Sequence, residues 1–404
     1  MGKPFDLVVF GATGFTGRLV AEHLQQAHGA ALHWALAGRN PDKLAAVRRE
    51  LGLPGSLPLL QADAADAKAL TALVRQARVV ISTVGPYQLH GEPLVRACAD
   101  AGTDYVDLCG EPLWMARMIA RHEAAARASG ARIVFSCGFD SIPFDLGVMF
   151  VQAEAQRRFG QPLQRVRGRV RVMKGGFSGG TVASALATLD AIGRDGQLLR
   201  TIGDPFALTP GFRGPAQPDG ESAVFDDVAG AWTGPFVMAP INTKNVHRTN
   251  ALRGHPWGRD FVYDERMLTA GGAEGERRAR AMARVARLQR LALGFGTARA
   301  LLRRFVLPKP GEGPSKSQRE SGRYELLFIG DTADGRRLQA VVRGDRDPGY
   351  GSTCKLISES ALCLLQDVDR GRTGGGIWTP GAAMGLALVQ RLHERAGLSF
   401  TIED

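Results

Sequence analysis

Three glycines at a spacing of three, Gly11, Gly14 and Gly17, are the residues whose type and spacing point most directly to chemistry. They stand in Gly11-Ala12-Thr13-Gly14-Phe15-Thr16-Gly17. The apolar run from Phe5 to Phe10 comes directly before them. A segment with Leu19, Val20 and Leu24 on one side and Arg18, Glu22 and Gln25 on the other follows. The chemistry this allows is anion binding. The first glycine takes a backbone angle closed to side chains. The second lets the main chain approach a ligand, and the third lets helix and strand pack closely. Free N–H groups at the helix start then face a phosphate. A glycine triplet alone is equally an ordinary tight turn. Its place after a strand and before a helix makes it the entrance of a dinucleotide fold, with Thr13, Phe15 and Thr16 filling the turn.

The next unit speaks to the choice of nucleotide. A short strand, Leu32 to Ala37, ends in Gly38-Arg39-Asn40. NAD-binding folds usually place an acid here to accept from the ribose hydroxyls. This chain has Arg39, with Lys43 four residues on, and a guanidinium fork suits a 2′-phosphate. NADP is therefore expected over NAD. Asp63, at the end of a third strand, is either a contact to the adenine amino group or a turn residue. Val79 to Thr83 reads as a buried strand that opens into Val84-Gly85-Pro86-Tyr87, where the loop passes the nicotinamide ribose. Tyr87 and His90 are the first side chains there able to donate a proton, with Tyr105 next. As alternatives, Tyr87 is a packing aromatic and His90 a helix-start residue.

The elements that position these residues alternate. Strands at 105–108 and 132–136 are separated by a helix from Leu113 to Ser129, and Cys137-Gly138-Phe139-Asp140 opens a further helix. Such alternation implies an α/β, Rossmann-type doubly wound parallel sheet with ligands at the carboxyl ends of its strands. Gly85, Asp107, Glu111, Cys137 and Asp140 lie at those ends, and Cys137 and Gly138 are taken with Val84, Gly85 and Pro86 as cofactor contacts. From about Val166 the pattern turns to strands with one wet face, and 324–329 and 338–342 read as a hairpin around Asp334-Gly335. The expected division is a nucleotide domain over 1–150, completed by about 372–404, and an inserted α+β substrate domain over 151–371. A second glycine loop, Lys174 to Thr181, precedes an alanine-rich helix. The five cysteines form no C-x-x-C pair and no Cys/His cluster, which argues against a disulfide framework and against a zinc site. With no signal peptide and no apolar run of membrane-spanning length, a cytoplasmic location is expected.

Taken together, GATGFTG (11–17), AGRN (37–40), STVGPYQLHGEPLV (82–95), DYVDLCGE (104–111), CGFDSIPFDLG (137–147), GGFSGGT (175–181), DPGYGST (347–353) and TPGAAMG (379–385) resemble the saccharopine dehydrogenase-like oxidoreductases. More closely they resemble the trans-acting enoyl reductase branch. The resemblance spans almost the whole chain. It implies a Rossmann domain, an inserted α+β domain, a C-terminal helix that returns to the first, and an NADPH-dependent reductase. Mycobacterial members supply enoyl reduction in trans to polyketide synthases that make lipid-linked products, so the implied substrate is an acyl thioester or lipid. No arginine set suits a dicarboxylic amino acid, although a dehydrogenase of imines or amino acids is the runner-up. A non-catalytic NADP-binding interaction protein is a third reading. The short-chain dehydrogenases share GATGFTG but need Tyr-x-x-x-Lys, and none of the five tyrosines has a lysine four residues on.

The formal charge of +11 is uneven. Between Gly271 and Pro308 lie nine arginines, from Arg277 to Arg304, against Glu274 and Glu276, so this segment carries nine minus two, or +7. Interleaved Val285, Leu288 and Leu291 make it a basic amphipathic helix. It is a solvated face or a docking surface for an anionic membrane or an acyl carrier protein. No nucleic-acid motif accompanies it. Peripheral membrane contact and a homodimer are left open.

Overall fold

The computed structural model describes residues 2–175, 184, 187–188, 190, 198–294 and 313–403. Seven strands form a wholly parallel sheet: β1 (Phe5–Phe10), β2 (Trp34–Gly38), β3 (Leu59–Gln61), β4 (Ala77–Ser82), β5 (Asp104–Asp107), β6 (Arg132–Val134) and β13 (Gly376–Trp378). Their order is β13-β6-β5-β4-β1-β2-β3. Val8 lies between Ala35 and Val80, and Val106 beside Val134. Leu7, Val8, Val9, Val79, Val80 and Ile81 are fully buried, because helices cover both faces. Chain order reverses between β1 and β4. That junction is the topological switch at which the carboxyl ends of such a sheet leave a crevice.

The helices begin where their sequences say they should. Asn40 accepts from the Lys43 amide at 2.9 Å and Pro41 takes the first position of the helix Pro41–Glu50. Asp66 accepts from the Lys68 and Ala69 amides to start Ala67–Gln76.

The second sheet also has seven strands, ordered β14 (Leu398–Glu403), β12 (Arg337–Gly344), β11 (Arg323–Thr332), β7 (Leu163–Lys174), β10 (Val262–Leu268), β9 (Ala231–Pro235) and β8 (Val224–Asp226). Only β7 and β10 run parallel. The hairpin of β11 and β12 pairs Leu327 with Val341, and its turn has Gly335 at φ +87°. The wet face carries ion pairs across the strands, Arg167 to Asp331 and Arg171 to both Glu325 and Glu403.

The two sheets share one core. The helix Ile142–Phe159 follows β6 in the chain and packs on the second sheet, where a Cβ on its Gly147 would fall 2.3 Å from the Phe328 ring of β11. A division at residue 150 therefore cuts a helix. Residues 353–366 pack on the helix Phe15–His28 and on β4 and β5 of the first sheet, although they precede 372. The C-terminal segment also divides. β13 extends the parallel sheet beside β6, whereas β14 pairs with β12 on the edge of the second sheet. Of the second glycine loop, residues 176–183 lie outside the described residues.

Candidate functional site

The turn after β1 has the geometry its glycines foreshadow. Gly11 has φ +91°, and a Cβ there would lie 2.7 Å from both Thr83 Oγ1 and Val84 Cγ2. A Cβ on Gly17 would sit 2.2 Å from the Gly11 carbonyl oxygen. Gly14 N–H donates to Gly11 O at 3.0 Å and closes the turn. The helix Phe15–His28 then begins with no side-chain cap and no acid in its first turn, which leaves its leading N–H groups for an anion. Phe15 packs edge-on against Tyr350 at 4.7 Å, and Asp347 fixes the loop that carries Tyr350 by accepting from its N–H at 3.0 Å. Sequence reading quoted this Asp-Pro-Gly-Tyr stretch but gave it no role, because the contact is tertiary.

Arg39 and Lys43 are exposed just past β2, and among the described residues neither side chain has an ion-pair partner. They are cations with no local carboxylate to satisfy. Asp63 is exposed, and its Oδ1 accepts from the Ala65 amide at 2.9 Å, as a turn residue does. The glycine turn and Val84 touch, and Gly85 and Pro86 follow in the same loop. Cys137 and Gly138 sit lower. Both are buried, and a Cβ on Gly138 would meet Leu108 Cδ2 at 2.9 Å and Thr353 Cγ2 at 3.3 Å. Burial pushes the Cys137 thiol well above its usual range. The Cys137 side chain lies in the core.

The two tyrosines correct an expectation. Tyr87 is 5% exposed, and its hydroxyl donates to Ser82 O at 3.0 Å while accepting from the Leu108 amide at 3.1 Å. It ties the end of β4 to the end of β5. Tyr105 is wholly buried and donates to Asp107 Oδ2 at 2.9 Å. Burial first, then the Asp107 carboxylate, pushes both phenols well above the ordinary tyrosine range. A hydroxyl committed to a buried acceptor, with its ionised form penalised, is not an available proton donor. His90 is different. It closes the short helix Tyr87–His90, is exposed, and its side chain has no hydrogen bond among the described residues.

Two acids at the end of β5 organise this region. Asp107 accepts from the Cys109 amide at 3.0 Å and the Ser136 amide at 3.1 Å, and burial raises its carboxyl to about 7. Glu111 accepts from the Tyr87 and Gln88 amides, each at 2.8 Å, and from the Ser184 hydroxyl at 2.7 Å. It thus caps the helix that bears His90. Ser136, at φ +63°, donates to Cys109 O at 2.6 Å. The sequence places Asp107 and Glu111 at strand ends but does not reveal that they hold loops, because Ser136, Tyr87, Gln88 and Ser184 are distant in the chain.

A further cluster escaped the sequence. His23 and His28 each bond Glu359 Oε1, at 2.9 and 2.8 Å, and Arg391 bonds its Oε2 at 2.7 Å. The histidines and the glutamate lie 336 and 331 residues apart, so no local spacing betrays them.

Comparison with known proteins agrees with this geometry. Residues 7–134 match the saccharopine dehydrogenase NADP-binding domain family. A protein of Mycobacterium tuberculosis (strain ATCC 25618 / H37Rv), provisionally named a trans-acting enoyl reductase, is 42% identical over 98% of this chain and 97% of its own. The trans-acting enoyl reductase of Mycobacterium ulcerans (strain Agy99) is 39% identical, covering 97% of this chain and 96% of its own. Apo saccharopine dehydrogenase (L-Glu forming) of Saccharomyces cerevisiae shares the fold, with a TM-score of 0.55 over 99% of this chain and 100% of that one at 12% identity. The glycine cradle and the unpaired Arg39 and Lys43 fit NADP as the cofactor of this domain. By its likeness to near full-length relatives, the chain belongs to the trans-acting enoyl reductase family, within the saccharopine dehydrogenase-like oxidoreductases.

Proposed function

We propose that the chain reduces the carbon–carbon double bond of an enoyl substrate, an acyl thioester or a lipid-linked polyketide intermediate, at the expense of NADPH. The observation that carries this is the near end-to-end likeness to proteins named as enoyl reductases, over both sheets and not only the nucleotide domain. The bound nicotinamide would supply a hydride to the β-carbon. The residues of the chain do the rest. Gly11, Gly14 and Gly17 bring the main chain to the pyrophosphate, and Arg39 with Lys43 holds the 2′-phosphate. Val84, Gly85 and Pro86 form the wall beside the nicotinamide ribose. Glu111 and Tyr87 fix that wall to the end of β5. His90 then stands as the candidate acid for the α-carbon, since the Tyr87 and Tyr105 hydroxyls are engaged.

The docking of the substrate is a finer part of the same reading. A tethered acyl chain must be brought to the crevice, and the Arg277–Arg304 segment is the basic surface on which an acidic carrier protein or an anionic membrane could sit.

The test is direct. Purified protein is given NADPH with enoyl thioesters of graded length, then with 2-oxo acids plus amines, while nicotinamide absorbance is followed. Oxidation with the enoyl series alone supports the proposal. Oxidation with the oxo-acid and amine pair moves the chain to imine chemistry, and binding without turnover in either set marks an interaction protein. His90→Ala should lower turnover by about 10²-fold while NADPH affinity holds. Unchanged turnover would leave solvent as the proton source.

A further inference from the structure

A cavity of about 390 Å³ lies away from the crevice, between the helix Pro112–Ser129 and the end of the helix Ala239–Leu252. Pro112 marks the carboxyl end of β5, and Arg127 lies about 22 Å further along that helix at 1.5 Å per residue. The cavity is therefore separate from the nucleotide cradle. Its charged lining is Arg127, Arg248, Arg259 and Glu123, with His255 neutral, so three cations face one carboxylate.

That carboxylate is already occupied. Glu123 Oε1 accepts from Arg127 Nε at 2.6 Å, and Oε2 accepts from the Ile377 amide at 2.9 Å. Arg248 reaches Oε2 only at 3.7 Å. Arg248 is 4% exposed. Its two Nη groups donate to Leu208 O and Ile377 O, each at 2.5 Å, while its Nε is buried with no partner. Burial pulls its pKa down to about 10. Arg259 has no ion pair among the described residues and lies over the Phe212 ring, 4.8 Å from its centre. His255 packs on that ring at a 47° tilt, 4.4 Å between centres, held at φ +61° with its Nδ1 unpartnered. Ile119 and Leu252 supply an apolar wall.

An unpaired buried donor, surplus positive charge and an aromatic floor in one concave space suit one ligand chemistry. We propose that this cavity is a second binding site, for an organic oxyanion that carries a phosphate or carboxylate on a small apolar body. The oxyanion would take the Arg248 Nε and the Arg259 fork, and the apolar body would lie against Phe212, Ile119 and Leu252. The inference stands apart from the enoyl reading, since it does not use the crevice.

The test uses the full chain saturated with NADPH, so that the cradle and Arg39 are filled. Phenyl phosphate, phenylacetate and inorganic phosphate are titrated in separately by calorimetry. Saturable binding of either aromatic anion is expected, weaker for inorganic phosphate, and the stronger of the two identifies the head group. Arg127→Gln with Arg259→Gln, both exposed positions, should weaken it about tenfold or more with NADPH affinity unchanged. Arg248→Met should abolish it, and the exposed pair keeps the test valid if that variant does not fold. No saturation by about 10 mM of either aromatic anion would overturn the proposal. So would binding that survives the double substitution, or that falls only together with NADPH affinity.

Discussion

Arg39 and Gly17 show what single positions decide. Arg39 is an exposed cation just past β2, with no ion pair among the described residues. Arg39→Ala should weaken NADPH by roughly 1–3 kcal/mol, the scale of a charge-assisted contact, and leave NADH nearly unchanged. Equal affinity of the wild type for both nucleotides in a fluorescence titration would end that assignment. Gly17→Ala would put a methyl group 2.2 Å from the Gly11 carbonyl, so either the turn or the helix must shift. Loss of NADPH binding is expected, read by the same titration. Tyr87→Phe removes the donor to Ser82 O and leaves the Leu108 amide unpaired in a buried place. A stability loss of about 1–3 kcal/mol in denaturant unfolding is expected, and wild-type stability would deny Tyr87 its bridging role. At this scale sequence reading succeeds where backbone is read through side-chain size, as at Gly11 and Gly17. It fails for Tyr87 and Tyr105, since burial of a hydroxyl against another strand leaves no mark in local spacing.

Elements were legible where hydrophobic period alone sets them. The central parallel strands carry unbroken apolar runs, Leu7–Phe10 and Val79–Ile81, because both faces are covered, and Leu326–Ile329 of β11 is likewise apolar because Leu327 and Ile329 pack with Val341 in a small second core. What the period does not carry is the partner. The helix Ile142–Phe159 packs on β11 and β12, and β14 pairs with β12, through contacts with residues far along the chain. The cluster of His23, His28, Glu359 and Arg391 is of the same kind. It clamps the helix Phe15–His28 to Thr353–Gln366 and Gly385–Arg395. Glu359 is fully buried, and although burial opposes it, the bonds from His23 and His28, with the Arg391 charge, hold its carboxyl well below the usual range. A depressed folded-state pKa gives stability that is present above the ordinary glutamate value of about 4.3 and is lost as pH falls through the lower folded value. Glu359→Gln should therefore cost about 3–5 kcal/mol near neutral pH, the scale for breaking a buried pair, and progressively less as acid protonates the wild type. Urea unfolding of both proteins across pH measures the difference. A gap that does not narrow in acid would show that the clamp acts through packing and not charge.

On the scale of the whole molecule the charge is lopsided, and the fold gives that asymmetry a shape. The helix Gly272–Gly294 packs on β9 by its first turns. Ala279 is fully buried, and Met282 lies 3.2 Å from where a Cβ on Gly234 would stand. Arg278 and Arg280 are paired with Glu274 and Glu276 one turn back. Beyond Met282 the helix changes character. Val285, Leu288 and Leu291 are 52%, 63% and 59% exposed, and Arg284 and Arg287 have no ion pair among the described residues. Residues 295–312, with Arg299, Arg303 and Arg304, lie outside the described residues. A purely solvated helix has no need of three bare aliphatic side chains among its arginines, whereas a surface that meets an anionic, partly apolar partner uses both. Among the described residues no helix is long and apolar enough to cross a membrane. Liposomes of mixed anionic and neutral lipid, and separately an acidic acyl carrier protein, should bind at low salt. Binding should fade as added salt shortens the Debye length from about 10 Å at 0.1 M. Arg284→Gln with Arg287→Gln should weaken the salt-sensitive part, and Leu288→Ser with Leu291→Ser the part that salt leaves behind. Turnover of a soluble short-chain enoyl thioester should be unchanged in all four substitutions, since none lies at the crevice. If neither partner binds at low salt, or if binding ignores both pairs of substitutions, the helix is a solvated face and the tethered substrate reaches the crevice by another surface.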